Sequence, residues 1–159
     1  MNLALSSDVA EFISLLEAHG VRYLLVGGHA VVFHGYPRLT ADVDIAYDPE
    51  EGNASRLWAA LEAFWGSPVP VVHDAADLMT VGVVFQFGRP PNRIDLLSRL
   101  DGVDFPEAWQ RRVSVVVAQG PVAVIGLYDL RCTKRAVGRP RDREDLANLP
   151  AARKPRIRR

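Results

Sequence analysis

Asp42 and Asp44 stand one residue apart in the segment ADVDIAY, where Val43 and Ile45 alternate with them. Alternate residues of a β-strand point to the same face, about 6–7 Å apart. The two carboxylates should therefore share a face while the apolar residues point into a core. Two like charges are costly to bury side by side unless a cation lies between them, and a divalent cation with oxygen ligands is the usual partner. The spacing predicts a metal site, with the wet face of an edge strand as the alternative.

A glycine pair, Gly27-Gly28, follows the apolar run YLLV and precedes Asp42 by thirteen residues. Glycines at the end of a strand allow a sharp turn and a close approach to a ligand. A helix that begins there presents free N–H groups to a phosphate. The alternative is an ordinary turn between a strand and a helix. Together, the glycines and the acid pair suit one ligand, a metal-bound nucleoside triphosphate (NTP).

A third acid, Asp95, lies between Ile94 and Leu96 in a segment with the pattern of a strand. An acid in such a place usually has a partner or a metal, although an edge strand would also explain it. Asp101 and Asp104 are rival candidates, but they fall in a turn and at the start of a helix, where Asp104 suits an N-cap.

Several cationic side chains lie near these motifs. Arg38 directly precedes the acid strand and is predicted to pair with the acids or to reach a nucleotide phosphate, with a surface loop as the alternative. His29 follows the glycines and is placed for a phosphate contact or for a structural role. Its spacing of five from His34 is poor for a shared metal, which favours positions i and i+4. Lys134 lies on a predicted helix, where the local sequence indicates a solvated side chain.

The composition predicts a single domain over residues 1–150, followed by a basic tail over 151–159. The single cysteine, Cys132, excludes an intramolecular disulfide and fits a cytoplasmic protein. No apolar run approaches the roughly 18 residues of a membrane span, and we expect no signal peptide because the first residues lack a basic region.

The net charge of zero conceals an asymmetry along the chain. Residues 1–130 contain 8 Lys or Arg against 16 Asp or Glu, whereas residues 131–159 contain 11 against 3. A basic C-terminal region could attract a polyanion, or it could be a solvated tail.

Hydrophobic periodicity predicts alternating helices and strands. Helices are predicted over 7–20, 28–34, 50–65, 105–111, 127–137 and 141–149, and strands over 21–26, 42–47, 81–87, 93–97, 113–118 and 121–125. No pattern is evident over 66–80.

The glycine pair, thirteen residues and then DVDI resemble the signature of the DNA polymerase β-like nucleotidyltransferase superfamily. The longer segment GGHAVVFHGYPRLTADVDI, with its R-x-T-x-D-x-D pattern, resembles the small bacterial nucleotidyltransferases grouped with the AbiEii-like toxins. The segment KRAVGRPRDREDL is similar to the C-terminal helix pair of that group. The resemblance extends over about residues 20–149.

This resemblance implies a minimal α/β (α+β) nucleotidyltransferase fold, a mixed twisted sheet with flanking helices. It implies transfer of a nucleoside monophosphate (NMP) from an NTP to a hydroxyl group, with release of pyrophosphate. Asp42 and Asp44 would bridge two Mg²⁺ ions, or Mn²⁺, about 3.5–4 Å apart. Asp95 would be the third carboxylate of the site.

The resemblance also assigns nucleotide binding to Gly27, Gly28, Arg38, Thr40 and Lys134. His29 would support these residues, and so would Asp142 unless it only caps the last helix or holds an arginine.

The implied acceptor is the 3′ end of tRNA or a protein hydroxyl, in a toxin with a cognate antitoxin. Two alternatives stay open: an antibiotic adenylyltransferase, which usually needs an additional helical domain, and a non-catalytic nucleotide- or RNA-binding module of the same fold.

Overall fold

The computed structural model describes residues 3–90 and 92–156. Its helices are α1 (Ser7–Ala18), α2 (Gly27–Phe33), α3 (Glu51–Trp65), α4 (Phe105–Gln110), α5 (Leu127–Val137) and α6 (Pro140–Asn148). Its strands are β1 (Tyr23–Val26), β2 (Val43–Tyr47), β3 (Val84–Phe87), β4 (Ile94–Leu97), β5 (Val113–Val117) and β6 (Gly120–Val124). The predicted order of helices and strands is confirmed, and the boundaries differ by a few residues at most.

The six strands form one sheet in the order β3-β4-β2-β1-β6-β5. Strand β2 runs parallel to β4, and β1 runs parallel to β6, while the other neighbours are antiparallel. The fold is therefore α/β with a mixed sheet, as predicted. Because β4 lies inside the sheet, the edge-strand explanation of Asp95 is wrong.

Strand register places four side chains in a row across the sheet. Val26 of β1 is opposite Asp44 of β2, Asp44 is opposite Asp95 of β4, and Asp95 is opposite Gln86 of β3. Directly opposed residues point to the same face. Two of the three predicted acids therefore lie side by side in the middle of the sheet.

Apolar residues on the opposite side of β2 anchor this row. Val43 and Ile45 are buried, as their alternation with the aspartates predicted. Helices α1 and α3 contact each other through the rings of Phe12 and Phe64, whose centroids are 5.3 Å apart. The acids therefore stand on a strand whose reverse side is packed into the core.

The segment 66–80, for which the sequence showed no pattern, contains one short 3₁₀ turn, Asp77–Met79. Leu78 in this turn is fully buried, and its carbonyl accepts a 2.9 Å hydrogen bond from the hydroxyl of Tyr47. Val69 and Val72 are buried as well, and the carbonyl of Thr80 accepts a 2.9 Å hydrogen bond from the hydroxyl of Ser98. Side-chain burial and isolated hydrogen bonds thus attach the segment to the sheet.

Within residues 3–90 and 92–156, no helix has both the length and the apolar character needed to cross a membrane.

Candidate active site

One cavity of about 760 Å³ brings together all eight residues predicted for catalysis or nucleotide binding. They are Gly27, Gly28, Arg38, Thr40, Asp42, Asp44, Asp95 and Lys134. Three arginines that the sequence analysis did not select, Arg93, Arg139 and Arg141, also line it. The cavity is therefore rich in charges of both signs and is large enough for a nucleotide.

The acids of this cavity repel one another. Burial raises the pKa of Asp44 to about 6, and the neighbouring carboxylates of Asp95 and Asp42 add to the effect. The Oδ1 atom of Asp42 is buried and has no hydrogen-bond partner among the described residues. Such a site is stabilised when a cation binds to it.

The cation that lies at the acids in this structure is the guanidinium of Arg93. Its Nη2 atom is 2.9 Å from Oδ2 of Asp42, and its Nε atom is 2.9 Å from Oδ1 of Asp95. The hydrogen bond with Asp95 raises the pKa of Arg93. The pattern R-I-D could have revealed this contact, because residues i and i+2 of a strand share a face.

Both glycines of the pair are required by close packing against the protein itself. Gly27 has a φ of +64°, and a Cβ atom there would collide with the Asp44 carboxylate. A Cβ on Gly28 would lie 2.8 Å from the Cβ of Thr40 and 3.2 Å from Nη1 of Arg38. Glycine therefore allows the first turn of α2 to approach the acids and the segment before β2.

Arg38 and Lys134 are held by Asp145, a buried carboxylate that the sequence analysis missed. Arg38 donates two hydrogen bonds to Asp145, of 2.8 and 3.0 Å. Nζ of Lys134 lies 3.0 Å from Asp145 and 3.0 Å from Asp142. Asp145 follows Asp142 by three residues on α6, so both acids face the same way. Its pairing with Arg38 across the chain has no local signal.

Asp142 fills both roles that its sequence position suggested. It accepts hydrogen bonds from the backbone N–H of Arg139, at the N-cap of α6, and from the Arg139 side chain. Burial alone would raise the pKa of Asp142, but the hydrogen bonds from Arg139 and Lys134 outweigh it and hold the pKa below its usual value. Asp142 therefore fixes Lys134 at the end of α5.

His29 lies next to the main cavity, in a smaller cavity of about 270 Å³ that it shares with Arg38 and Thr40. Its Nδ1 atom is buried without a partner among the described residues, and burial together with Arg38 lowers its pKa. His34 instead makes a buried 2.7 Å hydrogen bond with the carbonyl of Ile125. The two histidines do not share a site.

The donor set of the cavity suits Mg²⁺ or Mn²⁺, since Asp42, Asp44 and Asp95 provide oxygen ligands. In the described part of the chain, no three His, Cys, Asp or Glu side chains are placed closely enough to hold a metal as they stand. The guanidinium of Arg93 lies between two of the acids. The residues present therefore fit a divalent cation chemically, provided that Arg93 releases at least one carboxylate.

A search of curated proteins found no match to the chain. The model of a family described as "Nucleotidyltransferase of unknown function (DUF6036)" matches residues 6–152, which is most of the sequence. The glycine pair, the acids and the two C-terminal helices all lie within the matched range. The chain therefore belongs to this family of nucleotidyltransferases.

Proposed function

We propose that the protein transfers an NMP from an NTP to a hydroxyl acceptor and releases pyrophosphate, in a reaction that depends on Mg²⁺. The observation that carries this proposal is the cavity that joins the glycine pair, three acids and several cations in a member of a nucleotidyltransferase family. Each element suits one part of an NTP.

The triphosphate would lie at the end of the cavity formed by Gly27 and Gly28, next to Thr40. The first turn of α2 has no side-chain cap, so its N–H groups are available to phosphate oxygens. Arg38 and Lys134 lie at this end and would neutralise the charge of the triphosphate. These residues bind and orient the leaving group.

Asp42, Asp44 and Asp95 would hold Mg²⁺, which when bound neutralises charge on the reacting phosphate and on the leaving pyrophosphate. The acceptor oxygen forms a bond to the α-phosphorus while the bond from that phosphorus to the bridging oxygen breaks. Pyrophosphate leaves with the electron pair, and Asp95 takes the proton of the acceptor hydroxyl. Catalysis of this kind is mostly positioning and electrostatics.

The acceptor is a tRNA 3′ end or a protein hydroxyl, and the protein acts as a toxin of the AbiEii-like type with a cognate antitoxin. The support is the likeness of the R-x-T-x-D-x-D and C-terminal segments to that group, together with the basic C-terminal region.

A second candidate function is a nucleotide- or RNA-binding module without catalysis. The observation in its favour is the position of Arg93, which occupies the space between Asp42 and Asp95. A permanent guanidinium there would balance the acids and exclude a metal.

Label transfer tests the proposal against this alternative. The purified protein is incubated with each α-labelled NTP, Mg²⁺ and either total tRNA or cell lysate, beside the Asp42→Ala/Asp44→Ala variant. Label on a macromolecule that the variant does not transfer is the expected result. The absence of label on any macromolecule, with no binding of Mg-NTP in calorimetry, would reject the enzyme and leave the binding module.

A further inference from the structure

A second cavity of about 430 Å³ adjoins the main one, and five residues line both: Gly27, Asp44, Asp95, Lys134 and Arg139. Its floor is the face of β3 and β4 that carries Gln86 and Asp95, and α5 forms the opposite wall. No functional assignment made above concerns the part of this cavity lined by Val84, Gln86 and Leu97.

The two cavities lie on opposite sides of the Asp44–Asp95 pair. Asp42 and Arg93, which precede these acids on the parallel strands, line the main cavity. Leu97, which follows Asp95 on β4, lines the second cavity. The pair of acids therefore marks the boundary, with one cavity before it and one after it along the strands.

An in-line displacement requires the attacking oxygen and the leaving oxygen to approach the phosphorus from opposite sides. If the triphosphate lies beside Gly28 and Thr40 in the main cavity, the acceptor hydroxyl has to enter from the other side of Asp44 and Asp95. The second cavity is the space on that side.

We propose, on the basis of the proposed NMP transfer, that the second cavity binds the acceptor and that this acceptor is a protein segment presenting a side-chain hydroxyl. The class of acceptor follows from the cavity lining. The bond that forms is the one between this hydroxyl oxygen and the α-phosphorus, with pyrophosphate as the leaving group.

The charges of the second cavity argue against a nucleic-acid end. Each cation that lines it is already bound to a carboxylate of the protein: Arg99 to Asp101 at 2.9 Å, and Lys134 and Arg139 to Asp142 at 3.0 and 2.9 Å. An RNA end would bring phosphates in addition to the triphosphate, and these also require cations. Lys134 and Arg139 line the main cavity too, so among the described lining residues Arg99 is the cation left for an RNA end, and Asp101 already binds it. In the main cavity, by contrast, Arg141 makes no ion pair with another described residue.

The shape and polarity of the lining also favour a peptide. Among the described residues that line the second cavity there is no aromatic ring on which a base could stack. Val84 on one side and Val137 on the other are 46% and 40% exposed, so apolar surface faces the opening. A hydroxyl carried on a short side chain, flanked by apolar neighbours, fits between them.

Strand β3 provides a way to hold such a segment, because it is the outermost strand of the sheet at this end. No described strand pairs with the backbone groups on its outer side, and an extended peptide can pair with them. Alternate side chains of that peptide would then lie over the cavity. Gln86, exposed and directly opposite Asp95, is placed to position the incoming hydroxyl beside the acid that takes its proton.

The matched variants are Val84→Trp, which fills the second cavity, and Val116→Trp, which places the same ring on β5 at the other edge of the sheet. Val116 is 81% exposed and distant from both cavities, so it controls for an added surface tryptophan. Gln86→Ala is a second variant that leaves the cavity open. The assays are label transfer from α-labelled NTP in lysate, with the product divided by protease and ribonuclease treatment, and Mg-NTP affinity by calorimetry.

The expected result is label on protein, reduced at least tenfold by Val84→Trp and unchanged by Val116→Trp, with the Mg-NTP affinity of both within twofold of wild type. Gln86→Ala should raise the KM for the isolated acceptor more than it lowers kcat.

Label on RNA overturns the acceptor class, and Mg-NTP binding without label on protein does so as well. Equal transfer by Val84→Trp and wild type overturns the location, and weaker NTP binding by Val84→Trp assigns the cavity to the nucleoside. If wild type neither binds Mg-NTP nor transfers label to any macromolecule, the proposed function itself is rejected.

Discussion

The two sides of the main cavity are both built from charged groups, but only one of them is balanced. On the acid side, Asp42 and Asp95 share the guanidinium of Arg93, and Asp44 makes no ion pair with another described residue. Burial and mutual repulsion raise the pKa of Asp44 to about 6. Ionising Asp44 in the cavity therefore costs more free energy than ionising it in water.

On the cation side, the two predicted phosphate ligands each have a carboxylate partner. Arg38 and Lys134 are bound by Asp142 and Asp145, and both of these acids are fully buried. A cluster complete in this way stabilises the fold and holds its members in place, whereas a cluster short of a cation is suited to binding one. The difference separates the residues that support the site from those that we expect to act on a ligand.

Removal of Asp145 should have the largest effect on stability. In Asp145→Ala, two buried cations lose a shared partner, and we expect the free energy of unfolding to fall by about 3–5 kcal/mol. Urea denaturation measures this change. The control is Glu144→Gln, since Glu144 is exposed and accepts one hydrogen bond from Tyr36. It should cost less than about 1 kcal/mol. Similar costs for the two variants would show that the cation side is not the structural support.

Neutralising one acid of the main cavity should raise the free energy of unfolding, in contrast to the loss expected for Asp145→Ala. Asp44→Asn removes a charge that the neighbouring acids repel, so the metal-free protein should become more stable at pH 8, by about 1–2 kcal/mol after allowance for partial solvent screening. The same variant should lose NMP transfer. Urea denaturation and label transfer give the two results, and a destabilised Asp44→Asn would contradict the view that the acids repel one another in the native state.

The pH dependence should show the same repulsion in the wild-type protein. The pKa of Asp44 is raised from 3.8 to about 6 in the folded state, so the folded state binds a proton more tightly than the unfolded state does. The contribution of protonated Asp44 to the free energy of unfolding is present in full below about pH 4, and it is lost as the pH rises through about 6. Metal-free wild type and Asp44→Asn should therefore be close in stability at about pH 4 and diverge up to about pH 7. A constant difference across this range in urea denaturation would assign the effect to another cause.

The parts of the site that could be predicted from sequence depend on neighbours along the chain. The alternation of Asp42 and Asp44 with apolar residues established their common face, and the glycine pair established the turn before α2. These signals require only the local geometry of strands and helices. The register that brings Asp95 beside Asp44 joins strands that are distant in the chain. Asp95 is predicted instead because it is an acid between two apolar residues of a strand, and because the family resemblance implies a third carboxylate.

The balance of charges could not be predicted, because it depends on distant pairs. Arg38 and Asp145 are 107 positions apart, and neither position indicates the other. The sequence predicts that Arg38 pairs with the acids before and on β2 or reaches a phosphate, and the structure adds a partner on α6 that no local pattern indicates. The segment 66–80 could not be predicted for a related reason, since it is held by scattered buried side chains and by hydrogen bonds from Tyr47 and Ser98 rather than by a periodic pattern.

The smallest expected effect concerns the cation on the acid side. Arg93→Gln removes the guanidinium that Asp42 and Asp95 share, and it should cost the metal-free protein about 1 kcal/mol. A ligand at ten times its dissociation constant contributes about 1.4 kcal/mol, which corresponds to a few degrees in melting temperature. Because Mg²⁺ no longer has to displace Arg93, the rise in melting temperature on adding Mg²⁺ should be larger in Arg93→Gln than in wild type.

A second arginine provides the control for this comparison. Arg99 pairs with Asp101 in the same R-x-D spacing, but both side chains are largely exposed. Arg99→Gln removes one positive charge in the same way as Arg93→Gln, yet it leaves the acids of the main cavity untouched. Its melting temperature should respond to Mg²⁺ as that of wild type does. An equal response of all three proteins would mean that Mg²⁺ binds elsewhere, and that Arg93 is a permanent counter-charge of the acids, as the binding-module alternative requires.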